Sequence, residues 1–345
     1  MDIATSPLNP YVGLPKVDLH RHLEGSLRLS TMVEIARLHE VTVPDRVLDL
    51  SELVQVQEAD PLTFGNFLEK FKTLRLFYRS PEVIHRITRE AVEDAARDNV
   101  RYLELRFTPV ALSRVEDFPM VDVMDWVISS AHAASEQHGI RVNLIASFNR
   151  HESPELAEKV VQLAVDNRAR GVVGLDLAGN EAEFTCEPFI GMLKEARQAG
   201  LCVSVHAGEW GPAENVRMAI EEARADRIGH GVRVLEDPGT VELARERGTV
   251  FEVCVTSNYQ SGVTKTLRDH PLPRMLEAGL NVTVNTDDPS VSRITLADEY
   301  RLVCEELNVP MRTLKERILA AANAAFLPGA ERDTMAASLK QELMM

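Results

Sequence analysis

The chain of 345 residues has only four cysteines, Cys186, Cys202, Cys254 and Cys304, set far apart with no CxxC pair. That scarcity excludes a disulfide framework and a thiolate zinc finger, and predicts reduced, mostly buried thiols. Long apolar runs are also missing, since no stretch approaches the ~18 to 20 residues of a membrane-spanning helix. Residues 1–10 lack a basic segment followed by an apolar one, so no secretory leader is read there and the expected location is the cytoplasm. Positive charge is in deficit: 38 Lys and Arg stand against 53 Asp and Glu, a formal net charge of −15. Such a field repels phosphate, which argues against nucleic acid and anionic membrane surfaces as partners and favours a small neutral or cationic substrate. No Gly/Ser linker, low-complexity tract or internal repeat divides the chain. One domain over residues 1–345 is therefore expected, with 45% apolar residues to supply its core.

What is present is a series of short segments rich in Val, Ile and Leu that end in polar residues, the pattern of buried parallel strands. Eight are read, at residues 16–22, 101–108, 141–147, 172–178, 202–206, 227–230, 249–255 and 281–287. Helical patterns lie between most of them. Ser153-Pro154 and Asp237-Pro238 each pair an N-cap with proline at the first helical position, and Gly200, Gly248 and Gly279 fall where helices should end. Alternation of this kind predicts a (β/α)8 TIM barrel. An open doubly wound sheet is the alternative, but no GxGxxG follows the first strand. The long connection between the first two strands predicts a helical cap insertion over residues 27–99. Within it, residues 30–40 read as an amphipathic helix. Leu62, Phe64, Phe67, Leu68, Phe71 and Leu74 form a helical stripe, and Ser80-Pro81-Glu82 opens a third helix. The stripe serves either plain packing or the lining of a pocket, because an insertion after the first strand overhangs the C-terminal rim where barrels carry their sites. Beyond Asn308 the pattern is a helical C-terminal tail.

The chemistry-bearing residues gather on that rim. His20 and His22 lie two apart on one strand and point the same way, which by itself is weak evidence of a metal site. However, His206 closes the fifth strand, His230 the sixth and Asp287 the eighth, and such convergence is hard to explain by packing. His20, His22, His206 and Asp287 form a mixed nitrogen and oxygen ligand set that suits one zinc ion (Zn2+) per chain and leaves room for a water. Around that water, Glu209 is within reach without needing to ligate, His230 between two glycines offers a base, and Asp288 follows the ligand Asp287. The bland readings are a solvated loop carboxylate for Glu209 and a helix N-cap for Asp288 before Pro289. His39, His85, His132, His138 and His270 fall away from strand ends and read as surface or packing residues. His151 reaches the rim without an assigned role. No Ser-His-Asp arrangement, P-loop or zinc-finger spacing is found.

Several motifs then occur in order: Asp18-Leu19-His20-Arg21-His22-Leu23-Glu24-Gly25, Gly174-Leu175-Asp176-Leu177-Ala178-Gly179, His206-Ala207-Gly208-Glu209, Arg227-Ile228-Gly229-His230-Gly231, Thr256-Ser257-Asn258 and Asn285-Thr286-Asp287-Asp288-Pro289. By these the sequence resembles the adenosine deaminase family of the amidohydrolase superfamily over nearly its whole length. The resemblance implies the barrel fold and a zinc-dependent hydrolase of purine metabolism. It implies that His20, His22, His206 and Asp287 hold the zinc, that water attacks C6 of the purine, and that ammonia leaves. In that pattern Glu209 protonates ring N1, and burial should raise its pKa to keep it protonated. His230 and Asp287 join it as catalytic residues, His230 orienting the nucleophile and stabilising charge. His22, Glu24, Gly179 and Asp288 contact the substrate, Asp288 at N7, the Gly179 N–H at N3 and Glu24 on the sugar side. The segment 174–179 lacks the bridging lysine of two-metal relatives, which favours one metal.

The implied partner is a small-molecule purine nucleoside, adenosine and with it 2′-deoxyadenosine. Adenosine-specific members carry aspartate where this chain has Glu24, so adenine or a modified adenine nucleoside such as aminodeoxyfutalosine is the alternative. A non-purine amidohydrolase and a catalytically silent binding protein stand behind these.

Overall fold

The computed structural model describes residues 10–44 and 46–345, and the leader reading falls, except for Pro10, outside them. Eight strands pair in sequence order and in parallel: β1 (Lys16–His22), β2 (Val100–Phe107), β3 (Arg141–Asn149), β4 (Val172–Ala178), β5 (Cys202–Ala207), β6 (Arg227–His230), β7 (Val250–Val253) and β8 (Asn281–Val284). Helices follow each strand, which makes the fold a (β/α)8 TIM barrel. Strand interiors are buried almost throughout, as parallel strands flanked by helices require.

The seam between β8 and β1 is closed by a bridge between Arg21 and Asp287. Asp287 donates its N–H to the His20 carbonyl at 2.8 Å and accepts the His22 N–H at 2.8 Å. Side chains reinforce the seam: Asn285 Oδ1 accepts the Leu19 N–H at 3.0 Å, and Asp18 accepts the Thr286 hydroxyl at 2.7 Å.

The helix boundaries follow the local chemistry. Ser153 caps the helix Pro154–Asp166 through the Leu156 N–H, and Asp237 caps Pro238–Arg247 through Gly239 and Thr240. Gly248 ends the latter helix at φ +63°, a conformation that a Cβ would strain. Two strands are shorter than expected at their C-terminal ends. The run read to residue 255 leaves the sheet at Val253 because Val255–Gln260 turns into a short helix, whose free Val255 and Thr256 N–H groups are accepted by the buried Glu299 carboxylate. The run read to residue 287 stops at Val284, and Asp287 takes a left-handed φ of +62°. A non-glycine residue in that region is uncommon and clusters at functional sites.

Among the described residues, four α-helices run between β1 and β2, α1 (Leu29–Leu38), α2 (Val47–Val54), α3 (Phe64–Leu74) and α4 (Pro81–Arg97), with a 3-10 turn at Arg75–Phe77; α2 was not anticipated. Ser80 caps α4 by accepting the Val83 N–H. Met32, Leu50, Phe67, Phe77 and Ile84 join the main apolar cluster. Of the stripe on α3, Phe67 and Leu74 are buried, whereas Phe64 is half-buried and packs on Trp210 with ring centroids 4.2 Å apart. The chain ends in the helices Met311–Ala324 and Gly329–Glu342. The four cysteines form no disulfide; Cys186 and Cys254 are buried and the other two half-buried. Among the described residues no helix is long and apolar enough to cross a membrane.

Candidate active site

His20 and His22 at the end of β1, His206 near the end of β5 and Asp287 just beyond β8 bring one ligand atom each to within 4.8 Å of one another. Asp287 Oδ1 lies 3.3 Å from both His20 Nε2 and His22 Nε2. Two of the imidazoles are aimed from behind. His20 Nδ1 meets Glu252 Oε2 at 2.8 Å, and His206 Nδ1 meets Asp176 Oδ1 at 2.9 Å. Each carboxylate accepts the Nδ1 proton and so turns the Nε2 lone pair toward the common centre, the usual arrangement behind metal-ligating histidines. His20 Nε2 is fully buried yet has no hydrogen-bond partner. An orphan lone pair facing two more imidazoles and a carboxylate fits a divalent metal with three nitrogen donors and one oxygen donor, and these residues could hold one.

Arg106 of β2 unites the two supporting carboxylates, lying 2.8 Å from Glu252 and 3.4 Å from Asp176. Arg227 of β6 adds a 2.5 Å contact to Glu252, whose carboxyl is held well below the usual range: burial opposes its charge, but the two guanidiniums overcome it. None of Asp176, Glu252, Arg106 and Arg227 was assigned a role from the sequence. Their signal is a charged side chain inside an otherwise apolar strand, since a buried charge must be paired.

Glu209 follows β5 on residues 208–211. It is 3% exposed, which rules out the solvated-loop reading. Its Oε2 lies 3.6 Å from His230 Nε2. Burial pushes its carboxyl well above the usual range, and the negative charges of Asp287, Glu181 and Asp288 push it further, with Arg150 opposing. The loop itself is held by one side chain that sequence reasoning passed over. Glu181 accepts the N–H groups of Gly208 (2.6 Å), Glu209 (3.0 Å), Trp210 (3.1 Å) and Gly211 (3.0 Å), and the Asn215 amide at 2.9 Å.

Asp288 stands at the N-cap position of the short helix Pro289–Ser292 but makes no side-chain cap. Its Oδ1 is buried without a partner, and burial followed by the charge of Asp287 pushes its carboxyl well above the usual range. The N-cap reading is therefore overturned. Gly25 is required beside it, because a Cβ there would collide with the Asp288 carboxyl. Glu24 Oε1 accepts the Thr108 N–H at 2.6 Å, its Oε2 is buried without a partner, and burial raises its pKa to about 6. Gly179 follows β4 at φ +91°. His230 closes β6 at φ +60°, with Nδ1 3.0 Å from Asn258 Nδ2.

The histidines expected to be inert divide. His132 is exposed, His39 and His138 are half-buried, and His85 Nδ1 bonds Ser130 at 2.6 Å on the outer helices. His270 is 2% exposed and hydrogen-bonded to Asn258 at 3.3 Å, one side chain away from His230. The site thus combines a cluster of side chains that could hold a metal with buried carboxyls, Glu209 and Asp288 above all, that favour protonation, which is equipment for adding water to a polar bond while protonating its neighbours.

Comparison with known proteins agrees with this equipment. The model of the adenosine deaminase family matches residues 15–342. An adenosine deaminase from Erwinia tasmaniensis is 36% identical over 327 residues, 94% of this chain and 98% of the relative. Among solved structures, an amidohydrolase from Burkholderia ambifaria with bound Zn is similar at a TM-score of 0.89 and 27% identity, covering 97% of this chain and 92% of that one. The adenine deaminase of Arthrobacter aurescens matches at a TM-score of 0.88 and 25% identity, covering 96% and 100%. The barrel, the histidine and aspartate cluster on its rim and these likenesses together identify the chain as a hydrolytic deaminase belonging to the adenosine deaminase family.

Proposed function

We propose that the protein hydrolyses adenosine, and 2′-deoxyadenosine with it, to inosine or 2′-deoxyinosine and ammonia. In this reading His20, His22, His206 and Asp287 hold a single zinc ion. When bound, that ion makes hydroxide available near neutral pH. The remaining steps belong to the side chains. Ring nitrogens N1 and N7 of adenine carry lone pairs and no hydrogen, so a group that binds either must donate. Glu209 and Asp288, whose burial favours the protonated form, are suited to that task. Glu209 gives its proton to N1, which breaks the aromaticity of the ring and makes C6 electrophilic. Asp288 donates to N7, and the Gly179 N–H donates to N3, which orients the ring. His230 orients the attacking oxygen and stabilises the charge that forms, and Asp287 remains ionised beside it. The proton of the new C6 hydroxyl then passes to the amino group, the C6–N bond breaks to release ammonia and leave the 6-oxo product, and the proton lost by the attacking water restores Glu209.

The observation that carries this reading is the pairing of two buried, protonation-favouring carboxyls with one cluster of metal donors. For the nucleoside over free adenine, the support is the buried Glu24 Oε2 and the hydroxyl of Tyr78, a residue on which the charges of Glu24 and Asp288 act; both atoms lack protein partners, and sugar hydroxyls could satisfy them. The chain's 36% identity to an adenosine deaminase points the same way. The test is an ultraviolet assay of zinc-loaded protein on adenosine, 2′-deoxyadenosine, adenine and aminodeoxyfutalosine in parallel. Conversion of the two nucleosides with the highest kcat/KM supports the proposal, and faster conversion of adenine or aminodeoxyfutalosine overturns it.

A further inference from the structure

We propose that Asn258 and His270 are positioning residues that fix His230 as its Nε2–H tautomer, so that its ring acts as a hydrogen-bond donor to the attacking oxygen and not as a base. One hydrogen bond here has a direction that cannot be reversed. The backbone N–H of Leu272 donates to His270 Nδ1 at 3.1 Å, so this nitrogen carries a lone pair. In a neutral ring the proton then sits on Nε2, which faces Asn258 Oδ1 at 3.3 Å. Neutrality follows from burial, which lowers the His270 pKa to about 3.

Accepting from His270 sets the orientation of the Asn258 amide, whose Nδ2 then donates to His230 Nδ1 at 3.0 Å. His230 must therefore carry its proton on Nε2. That atom lies 3.6 Å from Glu209 Oε2 and 3.8 Å from Asp287 Oδ2, on the side of the reacting centre. All three side chains are buried, with Asn258 at 0%, His230 at 1% and His270 at 2% exposure, so bulk water does not compete for these bonds. His270 thus belongs to a relay that runs from a backbone amide beyond β7 to a residue beside the metal-binding cluster. The catalytic consequence rests on the deaminase reading of the site, whereas the tautomer does not.

Imidazole 15N NMR of the zinc-loaded protein tests the tautomer independently of turnover. The expected spectrum has His230 protonated at Nε2 and bare at Nδ1. Asn258→Asp can only accept, so it should move the His230 proton to Nδ1 and lower kcat by ~100-fold or more, with KM and zinc content little changed. His270→Leu removes the donor that sets the Asn258 amide and should lower kcat ~10-fold, whereas His270→Gln can still donate to Asn258 and should restore most of that loss. A wild-type His230 protonated at Nδ1 overturns the proposal. So does an Asn258→Asp enzyme that keeps its kcat after the proton has moved, or equal losses in the two His270 variants. If no substrate is turned over but the wild-type spectrum is as expected, the deaminase reading fails and the relay stands.

Discussion

The Glu181 carboxylate accepts the backbone N–H of Glu209 at 3.0 Å while also accepting those of the residues on either side of it. One buried side chain from the loop after β4 thus shapes the loop after β5 and adds negative charge near the candidate acid. Glu181→Gln cannot accept on both sides, because one of its atoms becomes a donor facing N–H groups. Charge-assisted bonds of this kind contribute about 1.5 to 3 kcal/mol each. A loss of ~10- to 100-fold in kcat, with zinc content unchanged, is the expected result of steady-state kinetics and metal analysis.

Replacing Glu209 with glutamine should leave metal bound and lower kcat by ~10² to 10⁴-fold, the range for a lost general acid. The same carboxyl predicts a pH dependence. Its raised pKa keeps the required proton to higher pH than an ordinary carboxyl would, and that proton is lost as pH rises through the folded-state value, so kcat/KM should fall on the alkaline side. A pH-rate profile from weakly acidic to strongly alkaline conditions checks this. A rate that rises steadily with pH would refute the assignment.

Glu252 stands behind His20, and Asp176 behind His206. Partners of this kind typically contribute 10- to 100-fold to metal affinity. Glu252→Gln also leaves Arg106 and Arg227 with a weaker acceptor, so it should cost stability as well as metal affinity. Asp176→Asn should lose affinity with less effect on stability, because Arg106 retains Glu252. Chelator competition and thermal unfolding separate the two effects.

His270 links stability to pH in a defined direction. Its folded-state pKa is lowered to about 3, below an unfolded value of 6.5, so between these limits the unfolded chain binds the extra proton. The contribution to stability is present above pH 6.5 and is lost as pH falls toward 3, by up to about 1.4 kcal/mol per pH unit. His270→Gln has no such group. Urea unfolding at several pH values should therefore show a shallower acid-side decline for the variant.

Much of this protein was legible in its sequence. Strand-like apolar segments, proline and glycine at helix ends and histidines at strand termini each depend on local spacing, and they led to the barrel and to the grouping of His20, His22, His206 and Asp287. Glu209 and Asp288 were legible as candidates because they adjoin ligand positions in the chain. Hidden from that reading was everything set by approach through space. Glu252 lies 232 residues from His20, and Glu181 lies 27 residues from Gly208; closure of the barrel brings the first pair into contact, and the pairing of β4 with β5 brings the second.

The same reason explains the elements that were misjudged. The ends of β7 and β8 depart from their strand-like sequences because Glu299 captures the backbone at Val255 and because Asp287 bonds across the seam to β1. His270 looked like packing because its neighbours in the chain are bland, although its partners are Leu272 and Asn258. Sequence determined which residues form strands, where helices start and stop, and which donors gather on one rim. Tertiary structure decided how those donors are aimed and protonated, because desolvation and long-range hydrogen bonds exist only once the chain has closed around them.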